Sequence, residues 1–228
     1  MSRHKEISFE LDICQYLASH GWLYADGDAT DYDRARALFP ADVLAWVQAT
    51  QPKAGETLTK NHGSKAEDTL LTRLRDQLDQ RGTLDVLRHG VELLGLKAPM
   101  KLAEFKPALA INPDILARYA ANRLRVVRQV RCSLHCENSM ELVLFLNGLA
   151  VATVEIKTNF TQSTGDAIDQ YRFDRHPKPK GQAAEPLLSF PSGARPPRWL
   201  PQSGAKDTPP VGCALDLIGR RRATRGKT

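Results

Sequence analysis

The sequence predicts a mixed α/β (α+β) fold in which a mainly helical N-terminal region precedes a β-rich core. Three observations carry this. Apolar residues recur at helical spacing in several segments up to Ala121, and from Leu124 the pattern changes to strand-like alternation. Asn147-Gly148 then separates two apolar runs, as a tight hairpin turn does. The 228 residues, 42% hydrophobic and 25% charged, suffice for one medium domain, with room for an appended subdomain.

The first helix is expected over 5–20, with Phe9, Ile13, Tyr16 and Leu17 on one face and Gly21 at its end. Glu6 and Glu10 lie one turn apart on the neighbouring face. A second helix opens at Pro40, a residue suited to a first helical position, and carries Val43, Leu44, Trp46 and Val47. Residues 50–64 read as a loop. Helices are expected over 65–80 and 83–94, punctuated by Gly82 and Gly95, and a short one runs from Asn112-Pro113 to Ala121. Strands follow at 124–135, 141–146 and 150–158, then a helix over 162–173 and a loop from His176. Nine of the fourteen prolines fall at or after Pro177, and the apolar residues beyond Phe190 are scattered, so disorder is expected there. The division is therefore 1–123 helical, 124–193 core and 194–228 tail.

Charge sits unevenly along this plan. Eight basic and two acidic residues from Leu187 onward account for the whole net charge of +6, so residues 1–186 are formally neutral. The basic balance is thus no argument that the body binds nucleic acid. The longest apolar runs, 142–146 and 149–154, are strand-sized and far below the roughly 20 residues of a membrane span. A charged N-terminus with no apolar stretch behind it argues against a secretory signal, and the expected location is the cytoplasm. Cys132 and Cys136 flank His135, but on a strand residues four apart lie about 13 Å from each other, too far to share a zinc ion. Gly219 and Gly226 are seven residues apart, where a phosphate-binding loop needs five, so no ATP site is read there.

The chemistry lies between Glu141 and Lys157. Alternation along the third strand places Val151, Thr153, Glu155 and Lys157 on one face, and Ala152, Val154 and Ile156 on the other. With a three-residue loop, Leu146 pairs with Ala150 and Glu141 falls opposite Glu155, their β-carbons about 5 Å apart. With a two-residue loop the register moves by one and the acids become diagonal neighbours. Opposed carboxylates repel, and a divalent cation offsets the repulsion. Mg2+ suits this spacing because it takes one or two carboxylates and keeps several waters. Lys157 would stand beside the bound water, stabilising charge on an attacked phosphate or helping to deprotonate the water. The competing reading is a surface hairpin with two solvated glutamates and a lysine.

The run 142–158, Leu-Val-Leu-Phe-Leu-Asn-Gly-Leu-Ala-Val-Ala-Thr-Val-Glu-Ile-Lys-Thr, resembles the nuclease motif of type I restriction enzyme R (restriction) subunits. There an acid, a short hydrophobic strand, Asn-Gly-Leu and a Glu-Leu-Lys ending occur in this order. The likeness extends from Phe9-Glu10 and Gly21-Trp22 through Ala167-Ile-Asp-Gln170-Tyr171 to about Leu188-Ser-Phe-Pro-Ser. It implies a restriction-endonuclease-like core, a mixed central sheet flanked by helices, that cleaves double-stranded DNA with Mg2+. By the same resemblance Glu141 and Glu155 are the metal-binding acids and Lys157 the catalytic lysine. Glu10 is similar to a helical acid that orients metal or water, and Gln170 to a glutamine in a later motif.

Three departures accompany the likeness. Glu141 stands where aspartate is usual, moving the carboxylate by about 1.5 Å. Four residues after Gln170, where the family has tyrosine, this chain has Asp174. Family members continue into ATP-binding motor domains, whereas here a Pro/Arg tail begins at about Ala194. The expectation is a truncated R subunit whose ATP dependence belongs to the full-length family. Methyltransferase and specificity subunits are the partners that the resemblance implies. An inactive remnant is the alternative, and a DNA-binding module working through the arginine tail a weaker third reading.

Overall fold

The computed structural model describes residues 2–131, 139–158 and 211–217, with side chains described over 7–131, 139–154 and at 156. The fold is mixed α/β, as the sequence predicts. Helices α1 (Ser2–Ser19), α2 (Pro40–Thr50), α3 (Pro52–His62), α4 (Ala66–Arg81), α5 (Thr83–His89) and α6 (Pro113–Ala120) precede the strands. These are β1 (Leu124–Arg131), β2 (Ser139–Leu146), β3 (Leu149–Thr158) and β4 (Val211–Leu217), in sheet order β1-β2-β3-β4. All three strand pairs are antiparallel. The parallel component among the described residues is a single bridge, Leu23 to Arg125.

Two local expectations are corrected. Residues 50–64 are not a loop, because Pro52 opens α3 at its first turn. Lys53, Ala54, Glu56, Leu58 and Lys60 are good helix formers, but only Leu58 is buried, so the apolar period is too thin to show. The helix expected over 83–94 stops at His89. Gly90 takes φ 81°, and Val91 then exchanges backbone hydrogen bonds with Met100 at 2.8 and 2.9 Å. A β-carbon at Gly90 would lie 2.5 Å from the Met100 carbonyl oxygen, so only glycine turns the chain here.

The apolar pattern builds three packed groups. Phe9, Ile13, Cys14 and Leu17 of α1 meet Val126, Leu142, Val154 and Ile156 of the sheet. Val127, Val143 and Phe145 meet Tyr32 and Phe39, with the Phe39 and Phe145 rings edge-to-face at 4.8 Å. The helical core centres on Trp46, Leu70, Leu74, Val86 and Met100, and Leu149 carries the β2–β3 hairpin into it. Within the tail expected to lack order, Val211–Leu217 is a strand paired with β3, from Ala152↔Leu217 to Thr158↔Val211. The expected 162–173 helix, Gln170, Cys132 and Cys136 lie outside the described residues, as does 218–228. Among the described residues no helix is long and apolar enough to cross a membrane.

Candidate active site

The β2–β3 hairpin is positioned by its turn. Asn147 and Gly148 both have positive φ, 49° and 85°, as a primed two-residue turn requires. Asn147 is fully buried. Its Nδ2 donates to the Leu102 carbonyl at 2.8 Å and to Asn122 Oδ1 at 2.9 Å, while its Oδ1 accepts from Arg123 N at 2.7 Å. The Gly148 carbonyl accepts from Phe39 N at 2.9 Å. A β-carbon on Gly148 would lie 2.5 Å from the Phe39 oxygen and 2.8 Å from Val43 Cγ2. The turn is therefore a docking point between sheet and helices.

Register along the hairpin combines the two alternatives left by the sequence. Next to the turn Leu146 pairs with Leu149 and Phe145 with Ala150, the two-residue arrangement. The register then shifts, leaving Val151 as an extra residue on β3, and continues as Leu144↔Ala152, Val143↔Thr153 and Leu142↔Val154. One residue further along, Glu141 faces position 155. The bulge thus restores at the site the opposition that a longer loop would have produced.

Glu141 is half-buried, and its Oε2 accepts a hydrogen bond from the Ile156 backbone N–H. The carboxylate is thereby held against β3 between positions 155 and 157. A backbone donor to an ionised carboxylate is among the stronger hydrogen bonds and fixes its orientation. On the far side of β3, Glu155 pairs in register with Ala214 and Lys157 with Gly212.

Glu10 takes a different position. It is buried at 2% exposure on α1, which packs on the set containing Leu142, Val154 and Ile156. Strand alternation assigns Glu141 to the other set, with Val143 and Phe145. The Glu10 carboxylate accepts from Arg128 Nε at 3.1 Å and from Gln129 Nε2 at 3.2 and 3.4 Å. The hairpin register thus brings Glu141 together with positions 155 and 157, while Glu10 is held by β1. One turn along α1, burial pushes the Cys14 thiol up to about 11. Among the described residues no group of three or more His, Cys, Asp or Glu side chains is poised to hold a metal.

A second polar cluster was not anticipated from the sequence. Asp42, 1% exposed, accepts from Arg125 Nε at 2.6 Å and Nη2 at 3.1 Å, and from Arg123 Nε at 3.0 Å. Arg125 also reaches Asp28 at 2.7 Å and lies 5.2 Å from the centre of the Phe39 ring. Burial alone raises the Asp42 pKa, but the hydrogen bonds and charges of Arg125 and Arg123 together outweigh it and hold the carboxyl below its ordinary value. The available signal was the arginines at positions 123 and 125, bracketing Leu124 at the start of β1. A shallow cleft opens beside this cluster between the 24–29 loop and Val127, Arg128 and Gln129. Asp26 and Asp28 line it and Arg128 is already paired with Glu10, so it does not suit a phosphate.

No curated protein and no solved structure matches the chain. A family model described as type I restriction enzyme R protein N terminus matches residues 10–200, which include Glu10, the whole hairpin and Gln170. The chain, with its Asn-Gly hairpin leading into Glu155-Ile-Lys157, belongs to the type I restriction enzyme R protein N-terminal family.

Proposed function

We propose that this chain supplies the nuclease of a type I restriction system, hydrolysing a phosphodiester of double-stranded DNA with Mg2+ held by Glu141 and Glu155. The observation that carries the reading is the register: Leu142↔Val154 sets Glu141 beside the Glu155-Ile156-Lys157 segment, and the Ile156 N–H already holds its carboxylate. Mg2+ prefers hard oxygen donors, one or two carboxylates with waters completing its shell. When bound, the ion supplies charge neutralisation at the phosphate and a water acidified for attack.

The chain's own residues then have separable tasks. The Ile156 N–H keeps Glu141 turned to the hairpin, so no reorganisation is needed when substrate arrives. Lys157, two residues from Glu155 and on the same alternating set, stabilises charge developing on the phosphate. Glu10 contributes from α1 through its contacts with β1, and Gln170 takes the catalytic role that its likeness to the family glutamine implies. The larger assembly would add methyltransferase and specificity subunits, with sequence choice residing in the latter. ATP-driven translocation belongs to motor domains of the full-length family, and the setting is the cytoplasm.

Nicking of supercoiled plasmid by the purified chain tests this. Cleavage is expected with Mg2+, is abolished by a chelator, and falls roughly 100-fold or more in Lys157→Ala. Equal cutting by the variant would defeat the assignment of Lys157. A wild-type chain that is folded by circular dichroism yet never cuts would favour an inactive remnant.

A further inference from the structure

Among the described residues three non-glycine positions have positive φ: Ala37, Gln129 and Asn147. Asn147 sits in a turn that demands it, and Ala37 closes a tight turn through its N–H to the Asp33 carbonyl at 2.7 Å. Gln129, at φ 52°, lies in β1 with no turn to explain it. A left-handed backbone is unfavourable for a residue bearing a β-carbon. Gln129 is also exposed, so burial of its side chain does not compensate for the strain.

What the strained backbone achieves is placement of one amide. Gln129 Nε2 donates to both oxygens of Glu10, and its Oε1 accepts from Ser139 Oγ at 2.6 Å. In the β1–β2 ladder Arg128 pairs with Leu142 and Val130 with Met140, so Gln129 and Glu141 face each other between these pairs. One side chain therefore ties the buried acid of α1 to the start of β2, two residues before Glu141. Strain of this kind in sparsely populated backbone regions concentrates at functional sites.

We infer that Gln129 is a positioning residue for the metal site, locking Glu10 and the first residue of β2 so that Glu141 is fixed before the cation arrives. The inference rests on the proposed Mg2+ site. A neutral amide suits both of its partners, a carboxylate and a hydroxyl. It donates to Glu10 and accepts from Ser139, whereas a carboxylate there would repel Glu10 and an ammonium could not accept from the Ser139 hydroxyl.

Calorimetric titration of the chain with MgCl2, without DNA, tests it alongside thermal melts of the same proteins. Wild type, Glu141→Ala, Gln129→Gly and Gln129→Ala are compared. Both Gln129 variants are expected to bind Mg2+ about tenfold more weakly, the loss usual for groups that orient metal ligands. Gln129→Gly, which relieves the strain, is expected to melt within about 3 °C of wild type, and Gln129→Ala below it. Wild-type affinity in Gln129→Gly, with binding lost in Glu141→Ala, overturns the positioning role and leaves the site standing. An affinity loss confined to the less stable Gln129→Ala overturns it too, since the role is then structural. If wild type binds no Mg2+, or Glu141→Ala binds as wild type does, the site itself fails and the inference with it.

Discussion

Asp42 and Cys14 show opposite outcomes of burying an ionisable group. Asp42 meets two guanidinium groups, and its carboxyl is held down; Cys14 meets apolar side chains of α1 and the sheet, and its thiol is pushed up. A carboxyl whose folded pKa is depressed stabilises the fold at pH above its ordinary value, about 3.9, and loses that contribution as pH falls through the folded value. Asp42→Asn should therefore melt well below wild type at pH 7, by the equivalent of about 3 kcal/mol, and the two proteins should converge as the pH drops below 4. Melting curves across pH check this, and a gap independent of pH would remove the ion pairs from the account. For Cys14, mass spectrometry after iodoacetamide treatment at pH 8 should find the thiol unmodified in the native chain and modified in denaturant. Neither residue was singled out by sequence for these roles. A charge buried against charges 81 and 83 residues away has no local signature, and the contacts of Arg123 and Arg125 with Asp42 exist only once α2 meets the start of β1.

Among the elements, the hairpin was legible and its register was not. Asn-Gly between apolar runs determines a two-residue turn through the positive φ that both residues accept. The bulge at Val151 has no comparable mark, since valine suits a regular strand equally well, and it is this bulge that brings Glu141 opposite position 155. The α3 helix escaped notice for a related reason: with only Leu58 buried, it is held by its neighbours rather than by a strong apolar face of its own. At Gly148 the structure makes a firm demand, because a β-carbon would collide with backbone of the α2 entry while the backbone stays left-handed. Gly148→Ala is expected to cost about 2 kcal/mol or more, read from urea unfolding. Wild-type stability in that variant would mean that sheet and helices are not docked through this turn.

At the scale of the whole molecule, the order of helices followed by sheet was visible because the apolar period changes from helical to alternating near Leu124, and the structure changes with it. The net charge of +6 was less informative than it looks, as it is carried by the last part of the chain. That part also holds β4, which runs along the outer edge of β3 and pairs with the Glu155-Ile156-Lys157 segment. Unpaired edges invite association between chains. A chain ending at residue 210 should consequently scatter more light at equal concentration than the full chain, and equal scattering would show that β4 does not protect this edge. The proposed function requires that Glu141 and Glu155 of the β2–β3 hairpin act as one metal-binding unit. The most direct measurement is plasmid nicking across a range of Mg2+ concentrations by wild type, Glu141→Ala, Glu155→Ala and the double variant. Each single variant should lose nearly all cleavage and the double should be no worse than either, as residues of one catalytic unit behave; a Glu141→Ala chain that cuts like wild type would contradict the account.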